Sequence, residues 1–262
     1  MILSIEGEEK TGKTTLAYTA PLPIVGFSFD LSTKRALYGA KYEEYFKGLK
    51  VQIVKNGDKA EKGNDITVYE LPAPIQLDPN VNVGYIRLRD RFREKLKETL
   101  EGPRVSLVLD TGTLYRKAEC EAYLEFLQLQ KPDLHRKQLQ QMEYSHPDGS
   151  VRELYTGIAN MEWNMVITHH LTDGYATVTN SKGDKESMAT GQRVLEGIKQ
   201  TYRFVDIGIR MVEKGRGLGA RIETCGYSRE LVGFVVEDPT WNKVVDRVQL
   251  ELGGRMELDR RD

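Results

Sequence analysis

The sequence predicts an α/β fold: a mainly parallel sheet flanked by helices, with an antiparallel extension toward the C-terminus. Three observations predict it. Strand-like and helix-like segments alternate through the first 170 residues, which is the pattern of crossover-connected parallel strands. Val105–Leu109 and Trp163–Ile167 are short, nearly all-apolar runs, as expected of strands covered on both faces. After about residue 205 strands predominate, at 205–212, 218–224 and 231–236, which suits an antiparallel addition.

The elements follow in order. Residues 1–6 read as an apolar strand running into a Gly-rich turn. A helix is expected from Lys13 to about Thr19, stopped by Pro21 and Pro23. Ile24–Phe29 is a second strand ending at Asp30, 32–48 reads as helix, and 51–54 and 66–71 are short strands. Three prolines make Leu71–Pro79 a loop. Between 85 and 100, Leu88, Phe92, Leu96 and Leu100 recur every four residues on one helical face. Gly102-Pro103 ends that helix. A helix is expected at 113–129, a polar loop at 130–150 closing on His146-Pro-Asp-Gly149, and then a further helix. The stretch 172–192 is rich in Gly, Thr, Ser and Lys and reads as an exposed hairpin or loop, with a helix at about 193–203.

The 262 residues suffice for one large α/β domain over 1–262. A net charge of -1 means that any nucleic-acid site must be a local patch. Cys120 and Cys225 lie far apart with no CxxC, so neither a disulfide framework nor a zinc site is expected, and a reducing cytoplasm fits best. No signal-like leader and no run of about 20 apolar residues is present, so neither secretion nor a membrane span is expected.

Gly7-Glu-Glu-Lys-Thr-Gly-Lys-Thr14 meets every fixed position of G-x-x-x-x-G-K-[ST]. The glycines let successive backbone N–H groups converge on phosphate oxygens. Lys13 is expected to reach the β- and γ-phosphates and the Thr14 hydroxyl to coordinate magnesium, within a phosphate-binding set running Gly7, Glu8, Glu9, Lys10, Thr11, Gly12, Lys13, Thr14 and Thr15. Glu8 and Glu9 are unexpected in a loop that holds anions. Three readings stand for them: carboxylates facing solvent or a neighbouring subunit, a water-orienting role, or tuning of nucleotide affinity by repulsion.

Asp110, directly after the buried run 105–109, is placed to hold magnesium, or else to cap the next helix. Met165-Val-Ile-Thr-His-His170 ends a further strand in polar residues. Adjacent histidines on an extended chain face opposite ways, so one of the pair is expected to face a γ-phosphate; a structural strand end and a metal site are the alternatives. Zinc is disfavoured because His135 and His146 fall in loops and no Cys or carboxylate lies at ligand spacing. Asp30 either orients water or caps the helix near Ser32.

Gly-x4-Gly-Lys-Thr, Leu-Val-Leu-Asp-Thr and Val-Ile-Thr-His-His, in that order, resemble the RecA-like ATPase core. More narrowly, the chain resembles small phage-encoded RecA-like ATP-binding proteins, including the Sak-type single-strand-annealing ATPases. Ser28–Leu37, Phe204–Arg210 and Phe234–Thr240 are similar to further segments of that family. The resemblance implies an ATPase using ATP and Mg2+, assembling with itself as a ring or filament on single-stranded DNA in phage recombination, in the cytoplasm of the infected host. A single-strand-binding protein is a further candidate partner. It also implies Lys13 and Thr14 as phosphate and magnesium residues, Asp110 as the Walker B acid and His170 at the sensor position. The family's catalytic Glu corresponds to Ser32, so the general base falls to Asp30, Glu9 or Glu8, or hydrolysis is slow. Lys214-Gly-Arg216 is similar to the family's finger supplied to a neighbouring subunit, or is a charged hairpin tip. By resemblance, single-stranded DNA would meet two segments. One, at 128–150, carries Lys131, His135, Arg136 and Lys137; the other, at 172–192, carries Tyr175, Lys182 and Lys185, with Arg193 just beyond. The Arg- and Lys-rich helix at 85–97 is a rival patch. A P-loop nucleotide or nucleoside kinase and a non-catalytic ATP-dependent assembly switch are the competing functions.

Overall fold

A computed structural model describes residues 1–39, 43–55, 58–78, 80–131, 136–179, 185–198, 200–215 and 217–261, with the side chains of 177–179 and 185–186 not described. Nine strands form one sheet. In chain order they are β1 (Ile2–Glu6), β2 (Ile24–Ser28), β3 (Val51–Val54), β4 (Ile66–Glu70), β5 (Ser106–Asp110), β6 (Met165–His169), β9 (Ile207–Lys214), β10 (Gly217–Cys225) and β11 (Val235–Glu237). A separate two-stranded hairpin, β7 (Leu171–Thr179) and β8 (Lys185–Leu195), accounts for the missing numbers. The order across the large sheet is β11-β10-β9-β1-β6-β5-β2-β4-β3. Neighbours from β9 through to β3 pair in parallel, and β10 runs antiparallel to both β9 and β11.

Side chains alternate between two apolar layers, as period-2 geometry requires. Leu3, Ile5, Val108, Val166, Ile207 and Ile209 face a layer closed by α1 (Lys13–Ala17), α2 (Thr33–Tyr38), α3 (Glu43–Phe46) and α7 (Trp241–Leu252). Phe27, Leu107, Leu109, Met165 and Ile167 face the other, closed by α4 (Tyr85–Leu100), α5 (Gly112–Gln130) and α6 (Ser145–Asn160). Leu88 and Phe92 are the buried residues of α4, which agrees with the four-residue spacing read from the sequence. Its first turn is capped from outside: the Glu125 carboxylate of α5 accepts from the Gly84 and Ile86 amides at 3.0 and 2.8 Å.

Several expected elements differ. The single helix at 32–48 is two short ones, because Gly39 leaves the helical region at φ -70, ψ 130. His146-Pro-Asp-Gly149 is not a turn but the first turn of α6, where proline is tolerated because its missing N–H has no intrahelical acceptor. Among the described residues no α-helix occupies 193–203: Arg193 pairs across from Asp173 at the end of β8, and Thr201–Arg203 makes a short 3-10 turn. Strands do not fill the C-terminal end, since α7 follows β11 and buries Trp241, Val244, Val245 and Val248.

Close packing of α1 on the sheet depends on Gly26. A Cβ built there lies 2.1 Å from the Tyr18 hydroxyl and 2.8 Å from its Cζ, and Tyr18 is fully buried and unable to swing away. Gly26→Ala is therefore expected to cost about 1–3 kcal/mol by overpacking, read as a lower denaturant midpoint at unchanged slope.

Candidate phosphate-binding site

The tips of β1, β2, β5 and β6 converge at the carboxyl edge of the sheet, where open α/β folds bind ligands. β6 lies between β1 and β5, so Thr168 and His170 stand between the phosphate loop and Asp110. Above these tips is a cavity of about 540 Å3, lined by the loop from Glu9 to Thr15 and by Asp30, Ser32, Arg35, Ala36, Thr111 and His170.

The loop leaves β1 at Gly7 and must pass close to β9. A Cβ on Gly7 would stand 2.9 Å from both Met211 Cβ and Thr11 Oγ1, so only glycine fits there. Lys10 and Gly12 take left-handed conformations at φ 61 and 81, which bend the loop into a cradle. Lys13 reaches back across it and donates to the carbonyls of Gly7 and Glu8 at 2.7 and 2.6 Å. Burial lowers the Lys13 pKa, while Asp110, Asp30, Glu8 and Glu9 pull the other way. Because α1 spans only Lys13–Ala17, a helix macrodipole could add little to any attraction the loop amides and Lys13 offer an anion.

Asp110 is the centre of the polar cluster. Thr168 donates to its Oδ1 at 2.5 Å, the Thr14 hydroxyl lies 3.1 and 3.2 Å from its two oxygens, and Ser32 donates to Oδ2 at 3.2 Å. Ser32 Oγ is also 3.3 Å from Thr14 Oγ1. Burial first, then the negative charge of Asp30, pushes the Asp110 carboxyl above the usual carboxylate range; the three hydroxyl donors pull it back. The cap reading of Asp110 is corrected: Thr111 caps α5, its side chain accepting from the Leu114 amide at 3.1 Å. Asp30 does take a capping contact, accepting from the Ser32 amide at 2.8 Å, while still lining the cavity.

Hydroxyls and one carboxylate form a hard oxygen donor set, the chemistry that suits Mg2+ and not zinc. Thr14 and Asp110 are the residues that could hold such an ion. Among the described residues, no group of three or more His, Cys, Asp or Glu side chains is placed to hold a metal. His146 instead stacks on Tyr123 at 4.7 Å, and His135 lies outside the described residues.

The two histidines separate as strand alternation requires. His170 lines the cavity, whereas His169 is buried on the opposite face of the sheet. Burial drives the His169 imidazole down to about 4. Neither ring nitrogen makes a hydrogen bond, although the Glu196 backbone lies close enough to act on it electrostatically.

The loop carboxylates also part company. Glu8 turns outward and pairs with Arg193 at 2.9 and 3.3 Å, and Arg193 holds Asp173 at 2.9 Å and the Leu171 carbonyl at 3.0 Å. The phosphate loop is thereby tied to the base of the β7–β8 hairpin. Glu9 lines the cavity.

The residues proposed for DNA contact are scattered in their circumstances. Lys131, Lys137 and Tyr175 are exposed. Arg136 is paired with Glu143 at 2.6 Å, and Arg193 is engaged as above, so the charge of both is committed within the protein. Lys182 lies outside the described residues, as does the side chain of Lys185. The rival patch on α4 is largely neutralised: Arg89, Arg93, Lys95 and Lys97 each pair with a carboxylate. Lys214 pairs with Glu237, and Arg216 lies outside the described residues.

Residues that sequence reasoning missed are Thr168, Ser32 as an Asp110 partner, and Arg35. Thr168 carried a signal, since it shares strand parity with His170 and so faces the same side. No helix among the described residues is long and apolar enough to cross a membrane. No protein-family model matches the chain, and no curated protein matches it.

Proposed function

We propose that this chain is a magnesium-dependent ATPase of the RecA-like kind that assembles with itself on single-stranded DNA and serves recombination, by annealing or strand exchange. The observation that carries the nucleotide part is the cluster joining Thr14, Asp110, Ser32 and Thr168 beside a complete phosphate loop, with Thr14 and Ser32 lining the cavity and Asp110 and Thr168 buried behind them. A buried carboxylate contacted by the loop threonine is the arrangement that a bound triphosphate and its cation require. When bound, Mg2+ neutralises charge on the β- and γ-phosphate oxygens. The loop amides and Lys13 hold the phosphates, which requires Lys13 to leave the Gly7 and Glu8 carbonyls. Asp30 and Glu9 both line the cavity and are the candidates to accept a proton from the attacking water.

The position of β6 between β1 and β5, together with His170 in the cavity lining, supports the RecA-like reading. The kinase alternative is weakened by the hairpin. A phosphate lid needs free arginines, and Arg193 is held by Glu8 and Asp173. One observation favours the assembly switch: Ser32 stands where a catalytic Glu is expected and is occupied with Asp110. The DNA, recombination and assembly parts rest on the resemblance, together with the exposed Lys131, Lys137 and Tyr175.

Phosphate release from ATP and Mg2+, measured with and without single-stranded DNA, separates the readings. Stimulation by DNA is the expected result. Transfer of phosphate to a small acceptor sinks the proposal, and ATP-driven oligomerisation without DNA binding or turnover replaces it with the switch.

A further inference from the structure

Three Lys or Arg residues line the cavity, Lys10, Lys13 and Arg35, and Lys13 is held by two loop carbonyls. Outside the lining, Arg193 is held by Glu8, Arg210 by the buried Glu6 and Lys214 by Glu237. Arg35 differs. Its side chain lines the cavity, is exposed, and makes no hydrogen bond or ion pair among the described residues. An arginine presents a rigid fork of donors suited to phosphate oxygens, and this one faces a site that already holds Asp30, Asp110 and Glu9 without contacting any of them.

Its place on α2 says which end of a nucleotide it meets. Residues three and four apart share a helix face, so Ser32, Arg35 and Ala36 form one face, and all three line the cavity. Ser32 Oγ sits within 3.3 Å of both Asp110 and Thr14. Arg35 therefore rises one turn above the corner where the metal residues meet, which is where the terminal phosphate must lie if Thr14 and Asp110 hold its cation. Lys10, which also lines the cavity and has no ion pair among the described residues, belongs to the phosphate loop itself and not to the α2 face that carries Ser32.

We infer that Arg35 contacts the γ-phosphate from within its own chain, and so distinguishes a bound triphosphate from a diphosphate. The inference rests on the nucleotide reading proposed above. It gives the site an internal cation where the resemblance implied one supplied by a neighbouring subunit.

The test compares binding of ADP and of the non-hydrolysable analogue adenosine 5′-(β,γ-imido)triphosphate, each with Mg2+, to the full chain. Wild type, Arg35→Ala, Arg35→Lys and Lys13→Ala are measured. Arg35→Ala is expected to weaken the analogue about tenfold and leave ADP within about twofold, the size of one lost charged contact. Arg35→Lys should recover part of the loss, and Lys13→Ala should weaken both ligands. Retained ADP binding by Arg35→Ala also reports that the variant folds. Equal losses for both ligands, or no loss for either, overturn the assignment of Arg35 while leaving the nucleotide reading intact. If wild type binds neither ligand, the nucleotide reading itself falls and the Arg35 contact with it.

Discussion

Asp110→Asn is expected to lower phosphate release by about 10²–10³-fold while making the nucleotide-free protein more stable, by about 1–2 kcal/mol. The loss follows from removing the charged oxygen proposed to meet the cation. The gain follows from the protein groups that surround Asp110. It is completely buried, and Asp30 adds negative charge nearby. Three hydroxyls donate to it, yet no cation side chain does. A buried charge held by hydroxyl dipoles, with Lys13 attracting it but forming no ion pair, remains costly. The Asn amide keeps an acceptor for Thr168 and Thr14, offers a donor to the Ser32 oxygen, and carries no charge to desolvate. Denaturation midpoints without Mg2+ and phosphate-release rates with it are the two measurements. A variant that is both inactive and less stable would show that Asp110 belongs to the packing of the fold and not to a site held ready for a cation.

His169 produces the second large effect, through pH. Its ring is buried on the far face of the sheet, against positions 112 and 197, where only glycine leaves room. Cβ atoms built at Gly112 and Gly197 would lie 2.8 and 3.4 Å from His169 Cε1. Burial depresses its folded pKa to about 4, below the unfolded value of 6.5. A depressed histidine binds its proton more readily in the unfolded chain, so the effect is absent above pH 6.5 and complete near pH 4. Over that window wild type should lose about 3 kcal/mol of stability that His169→Leu keeps. The comparison must be with the variant, because Asp110 and Glu119 have raised pKa values and gain stability as pH falls. Parallel pH profiles for the two proteins would mean that the imidazole finds a partner on protonation.

Much of this was legible before any coordinates. Local signals suffice for the phosphate loop, because its glycines and Lys13-Thr14 are contiguous and their chemistry is carried by nearby backbone. The buried strands β5 and β6 and the apolar face of α4 were readable for the same reason, as periodicity is a local property. The helix α7 was legible too and was overlooked: Trp241, Val244, Val245 and Val248 follow the helical spacing. The misplaced helix at 193–203 shows the opposite case, where cross-strand pairing with residues 171–173 outweighs local preference.

Contacts between distant segments had no such local trace. Glu8 and Arg193 lie 185 positions apart, and Ser32 and Asp110 lie 78 apart. Nothing in the loop GEEKTGKTT distinguishes Glu8, which pairs with the hairpin, from Glu9, which lines the cavity. That distinction depends on the hairpin folding back beside the loop, and the departure of Ser32 from a catalytic Glu gains its meaning only where Asp110 meets it. Residue types and short-range spacing are set along the chain, so they specified the loop, the acid and the fold class. Which charges remain free is set by long-range pairing in the folded state: Arg193, Arg210 and Lys214 find carboxylates, while Arg35, in the cavity lining, has none among the described residues.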